Sequence, residues 1–112
     1  MTDLYVKRSP MIADSEYNLG VFADTFFMEL DVIEVCPVLK LTESAKNMID
    51  RTKLKVYPVK FEEQWVFMFG YGSLYNHSTV PNVSLKLKGD VVVVCALKDI
   101  SPNEELVWDY GK

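Results

Sequence analysis

The sequence is poor in the residues that bind transition metals. The 112-residue chain contains one histidine and two cysteines, which are too few for a zinc site built from four thiolate or imidazole ligands. The cysteines, Cys36 and Cys95, stand alone in apolar segments, without the paired spacing of zinc-binding or redox motifs. We therefore expect no metal, no disulfide, and two buried cysteines in the reduced state.

Long apolar runs are also missing from the sequence. The longest run, residues 91–97, is far shorter than the roughly 20 residues that a membrane-spanning helix needs. The first residues lack the order of basic, apolar and small residues that a secretory leader shows. We expect an intracellular protein without a membrane segment.

Positive charge is in deficit. Lysine and arginine together number 12 and aspartate and glutamate 16, so the formal net charge is −4. Binding nucleic acid through its phosphates requires clustered lysine and arginine, so this composition argues against direct contact with nucleic acid. An acidic protein suits a basic protein or peptide as its partner.

The remaining residues are enough for one domain with one hydrophobic core. Short apolar or alternating runs between turn residues predict a mainly β fold, with strands over residues 4–7, 19–23, 32–41, 54–56, 59–61, 65–69, 83–88, 91–97 and 106–110. Gly89 and Asp90 predict a two-residue hairpin turn. Pro37 cannot donate to a ladder, so we expect it at a bend, bulge or edge. Only one short helix is predicted, capped by Thr42 and ending near Asp50.

Two polar segments stand out against this apolar background. Residues 72–82 carry the only histidine within a run of hydrogen-bonding side chains that includes Asn76, His77 and Asn82. Such side chains cost free energy when they are buried unpaired, so we expect them to bind backbone groups, one another or a ligand. The second segment, residues 103–110, favours the ligand interpretation when it is considered together with the first.

Taken together, these segments resemble the SET domain family of lysine methyltransferases, in particular its small stand-alone members from bacteria and large viruses. Residues 76–82 are similar to the family's N-H-S-x-x-P-N signature, and residues 104–110 to its closing E-E-[LI]-x-x-x-Y motif. Residues 20–23 are similar to the opening G-x-G-V-F-A motif, and residues 32–34 to the strand after it. Four motifs in the right order and spacing make the resemblance specific.

The resemblance implies a SET-domain (β-clip) fold, which is mainly β, with small curved sheets, a C-terminal pseudoknot and one short helix. It implies a single domain over residues 1–112, without the C-terminal extension that covers the adenine in many relatives. It also implies transfer of a methyl group from S-adenosylmethionine to a lysine ε-amine of a basic protein, for which a histone or histone-like protein is plausible. A homodimer is a further expectation and, for a viral gene, so is a location in the host cell.

The resemblance also implies which residues act in catalysis. Tyr110 is the expected catalytic residue, with its hydroxyl directed at the reacting amine and sulfur. Tyr71, in a loop between two glycines, is expected to line the lysine channel. Methyl transfer from a sulfonium to an amine needs a neutral amine and a linear approach, so positioning in a dry channel replaces a strong general base.

A second group of residues is expected to hold the cofactor. By resemblance, Asn76 binds its amino-acid part through the side-chain amide, and His77 binds the adenine part chiefly through its backbone. Leu19 and Gly20 are expected to add backbone groups to the same ligand. Asn18 stands where the family's first glycine usually lies, so the backbone curve around the methionine part is expected to differ here.

Two other interpretations remain open. A catalytically silent module would keep the fold and bind a peptide or another protein subunit. A hydrolase using Ser78, His77 and Asp109 is the weaker idea, because a nucleophile and a base adjacent in sequence rarely face each other.

Overall fold

The structure is a computed structural model that describes residues 3–10 and 18–111. Within these residues there are nine strands: β1 (Leu4–Arg8), β2 (Leu19–Ala23), β3 (Val32–Lys40), β4 (Val59–Phe61), β5 (Gln64–Met68), β6 (Asn76–His77), β7 (Val83–Lys88), β8 (Val91–Ala96) and β9 (Glu105–Trp108). The same part of the chain contains one α-helix, α1 (Glu43–Ile49), and two 3₁₀ helices, Lys53–Val56 and Gly72–Leu74. The prediction of a mainly β chain with one short α-helix is confirmed.

The strands form two sheets. The first has the order β1-β2-β9-β6, and the second has the order β4-β5-β3-β8-β7. One cluster of buried apolar side chains joins them, and it includes Val21 and Leu106 from the first sheet and Val66 and Val92 from the second. Burying a side chain of this size stabilises the fold by roughly 1.5 to 3 kcal/mol, so this cluster fixes how the two sheets sit against each other.

Strand β3 changes its partners at Pro37. Residues before this point pair with β8, and those from Val38 to Lys40 pair with β5. Pro37 has no N–H to donate, and its carbonyl accepts a hydrogen bond of 2.9 Å from the Phe69 amide. Pro37 therefore lies in a central strand and not at a sheet edge, at the position where a missing donor disturbs the pairing least.

The predicted hairpin is confirmed. Strands β7 and β8 pair in register up to Lys88 opposite Val91, which leaves Gly89 and Asp90 as the two turn residues. Gly89 has a φ of +62°, a conformation that glycine adopts without the steric cost of a β-carbon.

The region between β3 and β5 follows the prediction in part. Thr42 caps helix α1, accepting a hydrogen bond of 3.1 Å from the Ala45 amide. The strand predicted at residues 54–56 is wrong: these residues form a 3₁₀ helix, which begins after Thr52 and is held by that side chain, 3.1 Å from the Leu54 amide. Three alternating residues are too few to distinguish a strand from a tight turn capped by a threonine.

The two cysteines differ in burial. Cys36 is fully buried, whereas Cys95 is only half-buried, which corrects the prediction that both lie in the interior. Both are free thiols.

No helix in the described residues is both long enough and apolar enough to cross a lipid bilayer.

Candidate functional site

The site forms where a short parallel pairing brings two distant segments together. Strand β6 pairs with β9, with Asn76 opposite Val107 and His77 opposite Trp108. The Ser78 amide continues the ladder with a hydrogen bond of 3.0 Å to the Trp108 carbonyl. This pairing places the two polar segments of the sequence side by side.

The side chain of Asn82 stabilises this parallel pairing of β6 with β9, which we call the β6–β9 crossing. Its Nδ2 donates to the Glu105 carbonyl at 2.8 Å, and its Oδ1 accepts from the Val107 amide at 2.8 Å. Its own amide donates to the Val107 carbonyl at 3.1 Å. An asparagine amide, which can donate and accept at once, can bridge two peptide groups of one strand in this way. Asn82 therefore holds the C-terminal segment in place against the loop that follows β6.

Tyr110 lies against β6 through both its backbone and its ring. The Tyr110 amide donates to His77 Nδ1 at 3.0 Å, and the Tyr110 hydroxyl donates to the Tyr75 carbonyl at 2.7 Å. The Tyr110 ring centroid is 4.9 Å from that of His77 and 5.0 Å from that of Trp108. Because His77 Nδ1 accepts a hydrogen bond, the proton of the neutral ring is on Nε2. Burial raises the pKa of the Tyr110 hydroxyl, so this group stays protonated.

Asn76 connects the start of β2 to β9. Its Nδ2 donates to the Leu19 carbonyl at 2.9 Å and to Glu105 Oε2 at 2.8 Å. Gly20 packs against these groups. A β-carbon there would collide with the Glu105 carboxylate and come within 3.0 Å of the Asn76 amide. The structure therefore brings Leu19, Gly20 and Asn76 together.

Glu105 is a part of this site that the sequence did not reveal. Its neighbour Glu104 caps a turn by accepting from the Ser101 amide at 3.1 Å. Glu105 instead accepts from Asn76 and, at 2.7 Å, from the Ser9 hydroxyl. Its position in the closing motif was visible in the sequence, but its contacts depend on the crossing of the two segments.

Asn18 is buried at the edge of the same corner. Its carbonyl accepts a hydrogen bond of 2.6 Å from the Ser9 amide. Among the described residues other than glycine, positive φ angles occur at Leu30, Glu62 and Asn103. The backbone at Asn18 therefore does not need the left-handed conformation that glycine favours.

Tyr71 is linked to the site indirectly. Its amide donates to Glu34 Oε2 at 2.9 Å, and its half-buried side chain packs against the core. Glu34 Oε1 in turn accepts from the Tyr75 hydroxyl at 2.6 Å. Among the described residues, no hydrogen bond or ring contact joins Tyr71 to Tyr110. Glu34 is thus a second residue whose place near the site the sequence did not indicate, although it lies in a matched motif.

The alternative Ser-His-Asp arrangement does not form. Asp109 Oδ1 is 3.9 Å from His77 Nδ1, but that nitrogen already accepts from the Tyr110 amide. The Ser78 hydroxyl accepts from the Val80 amide at 3.0 Å, as in a local turn. The geometry needed for a nucleophile activated by His77 is therefore absent from this part of the chain.

Near β2, the Asn76 side chain has an acceptor that is not used within the protein, and this acceptor fits the amino-acid part of S-adenosylmethionine. Both hydrogens of Asn76 Nδ2 are used within the protein, so its Oδ1 is the side-chain atom left to accept from a ligand ammonium. The absence of a β-carbon at Gly20 allows the Asn76 amide and the Glu105 carboxylate to pack against the backbone of β2. An uncharged amide acceptor suits the ammonium group of a zwitterionic ligand.

This fold and this crossing define a SET domain, and the chain belongs to the SET domain family, which matches residues 18–111. A solved structure from Plasmodium falciparum, described as a candidate histone methyltransferase, is 26% identical, with a TM-score of 0.73. That match covers 99% of this chain and 95% of the Plasmodium chain.

Two structures of the ctPRC2 assembly are also similar, each with 21% identity. One is an apo form with two substitutions in Ezh2, with a TM-score of 0.76, and the other is an autoinhibited form bound to S-adenosylmethionine, with a TM-score of 0.72. Each match covers 98% of this chain and 15% of the ctPRC2 chain, and at this identity it shows the shared fold. No protein of curated function matches the sequence significantly.

Proposed function

We propose that this protein is a lysine methyltransferase that transfers a methyl group from S-adenosylmethionine to the ε-amine of a lysine in a basic protein or peptide. The observation that carries the proposal is the convergence of Tyr110, His77 and Asn76 at the β6–β9 crossing. A histone or histone-like protein is the substrate class most consistent with the net charge of −4.

The hydrogen bond of Tyr110 decides what its hydroxyl can do. The only hydroxyl proton is donated to the Tyr75 carbonyl, so the oxygen presents lone pairs to an incoming group. An amine N–H can donate to this oxygen, which would direct the amine lone pair away from Tyr110 and along a defined line. Because burial raises its pKa, Tyr110 remains a neutral hydroxyl and orients the amine without removing its proton.

The lysine must therefore arrive as a neutral amine. The Tyr110 ring contacts the rings of His77 and Trp108, and Phe61 stacks on Trp108 with centroids 5.8 Å apart. Such apolar walls disfavour an ammonium that lacks a counter-charge and so lower the pKa of a buried lysine. The protein thus favours the reactive form of the amine through desolvation.

The cofactor would be held by the residues near β2. When bound, S-adenosylmethionine supplies the methyl group on a positively charged sulfur. Asn76 Oδ1 would bind the ammonium of its amino-acid part, with Asn18, Leu19 and Gly20 as the adjacent backbone. His77 would hold the adenine part through its backbone, and its ring stays fixed by the Tyr110 amide.

A groove beside Phe61 suits the approach of the substrate. It has a volume of about 710 Å³ and is lined by the β4–β5 turn, with Glu62 and Glu63, and by β7, with Lys86 and Lys88. Strands β4 and β7 are the two ends of the second sheet, so a groove lined by both means that this sheet curls until its edges approach each other. Since Phe61 lines the groove and stacks on Trp108, a peptide bound there lies two ring contacts from Tyr110. Tyr71 remains our candidate for the wall of the lysine channel.

The test is methyl transfer itself. The protein is incubated with S-adenosylmethionine and a panel of basic proteins, including core histones, and the products are analysed by mass spectrometry. We expect mass increases of one methyl group on lysine. Calorimetry with S-adenosylmethionine alone separates the rival interpretation: no binding at high cofactor concentration would leave the silent protein-binding module as the better account.

A further inference from the structure

The carboxylate of Glu34 organises the loop before the site. Its Oε2 accepts from the Tyr71 amide at 2.9 Å, and its Oε1 accepts from the Tyr75 hydroxyl at 2.6 Å. Gly70, with a φ of +65°, lies against the same carboxylate, because a β-carbon there would collide with Glu34 Oε2. The loop of residues 70–72 is therefore shaped around this one acidic side chain.

Tyr75 carries the effect of Glu34 to the site. Its side chain is almost fully buried, with 1% of the residue exposed. Its hydroxyl is held by Glu34, and its carbonyl accepts the hydroxyl proton of Tyr110 at 2.7 Å. The residue that follows it, Asn76, begins β6. A single buried residue thus connects Glu34 to the group that orients the Tyr110 hydroxyl.

The polarity of this connection is fixed. Burial and the nearby Glu34 carboxylate raise the pKa of the Tyr75 hydroxyl, so that it stays a donor. Burial, and to a lesser extent the same carboxylate, also raises the pKa of the neighbouring Cys36 thiol, to about 12. Hydrogen bonds to a charged acceptor are stronger than neutral ones, so the Tyr75 side chain has one strongly preferred position.

We propose that Glu34 is a positioning residue for methyl transfer: by holding the Tyr75 hydroxyl, it places the Tyr75 carbonyl that orients the hydroxyl of Tyr110. This inference rests on the proposed function for its kinetic consequence, but its structural consequence can be measured without methyl transfer. Glu34 is not a catalytic residue, because it contacts neither Tyr110 nor the groups that would hold the cofactor.

The kinetic test uses Tyr75→Phe and Glu34→Gln, each alone and combined with Tyr110→Phe. A small displacement of Tyr110 lowers the rate strongly, so we expect either single change to reduce kcat about tenfold with an unchanged Kd for S-adenosylmethionine. Neither change should add a further loss once Tyr110→Phe is present. Tyr5→Phe is the matched control, because the Tyr5 hydroxyl binds Asn103 at an exposed position, 2.8 Å away. Equal losses in both backgrounds, or no loss at all, would overturn the proposal.

A second test does not depend on activity. Tyrosine labelled with ¹³C at Cζ gives an NMR signal that reports the hydrogen bond of the Tyr110 hydroxyl, assigned by its loss in Tyr110→Phe. We expect Tyr75→Phe and Glu34→Gln to shift this signal, whereas Tyr5→Phe leaves it in place. If both variants fold and the signal does not move, the positioning role is excluded whether or not the protein methylates lysine. If the signal moves but no substrate is methylated, the proposed function fails and the link between Glu34 and Tyr110 stands.

Discussion

The β7–β8 hairpin is held by backbone pairing, whereas the crossing of β6 with β9 adds side-chain hydrogen bonds to a short backbone pairing. In the hairpin, two strands that are consecutive in the sequence pair through their backbone groups along their whole length. At the crossing, single side chains bridge segments far apart in sequence: Asn82 reaches 23 and 25 residues along the chain, and Asn76 reaches 29 and 57. Backbone pairing tolerates many side chains, whereas a bridge made by one amide does not. The crossing is therefore the more easily damaged region, and it is the region that carries the candidate site.

Among the changes that test this comparison, Asn82→Ala is expected to have the largest effect on stability. The change removes two side-chain hydrogen bonds and leaves the buried Val107 amide without a partner, so we expect a loss of about 3 kcal/mol in the free energy of unfolding. Ser84→Ala, on the neighbouring hairpin strand, should change it by less than about 0.5 kcal/mol. Urea denaturation measures both. Similar values for the two variants would mean that the crossing is no more dependent on side chains than the hairpin.

Alkaline pH should act on the side-chain network beside the crossing. Burial, and to a lesser extent the Glu34 carboxylate, raises the pKa of Cys36 from 9.0 to about 12. As the pH rises, the thiol therefore ionises in the unfolded state before it ionises in the folded state. The unfolded state then binds fewer protons than the folded state between about pH 9 and pH 12, and stability falls there by up to about 1.4 kcal/mol per pH unit. Tyr75, whose pKa is also raised by burial, adds a similar loss above its ordinary pKa of 10.0.

Urea denaturation of the wild type at pH 8 to 11 checks this expectation. Cys36→Val removes the contribution of the thiol and should reduce the slope of stability against pH. An unchanged slope in that variant would show that the Cys36 thiol is not protected by the fold.

A smaller effect, measured on ligand binding, is expected from Asn76→Ala. The variant loses the amide that binds Leu19 and Glu105 and whose oxygen we assign to the cofactor ammonium. Affinity for S-adenosylmethionine should fall about tenfold, the cost of one hydrogen bond to a charged group. Calorimetry measures this, with Asn47→Ala on the exposed face of α1 as the control. Wild-type affinity in Asn76→Ala would remove this residue from the cofactor site.

The smallest effect is expected at the groove beside Phe61, because its charges are exposed. Replacing Glu62 and Glu63 by lysine should raise the KM for a basic lysine peptide about threefold, since exposed ion pairs contribute less than about 1 kcal/mol each. Replacing Lys86 and Lys88 by glutamate should lower the KM, and both shifts should shrink at high salt. If kcat changes and KM does not, the peptide does not bind in this groove.

The hairpin and the helix could be predicted because their signals are local. The alternation of residues 83–88 and the Gly89-Asp90 turn determine the β7–β8 register, and Thr42 caps α1 through a hydrogen bond three residues away. The fold as a whole was predictable through the resemblance of four motifs to the SET domain family. Its bacterial or viral type stays a prediction.

The rest of the site depends on contacts that no local pattern encodes. Strand β6 has two residues and exists only because β9 lies beside it, so residues 76–77 carry no strand signal of their own. Glu34 and Glu105 looked like ordinary acidic residues, and their partners, Tyr75 and Asn76, lie 41 and 29 residues away. Tyr110 was predicted to lie within the last strand, but β9 ends at Trp108, which leaves Tyr110 free to turn toward β6.

The most direct test of the account compares the wild type with Tyr110→Phe in a single-turnover methyl-transfer assay. S-adenosylmethionine binding is measured on both proteins by calorimetry. We predict an unchanged Kd for the cofactor and a rate about 100-fold lower, because the ring and its packing remain while the oxygen that orients the amine is lost. A variant that binds the cofactor and transfers methyl groups at the wild-type rate would contradict the claim that the β6–β9 crossing and Tyr110 form the active site.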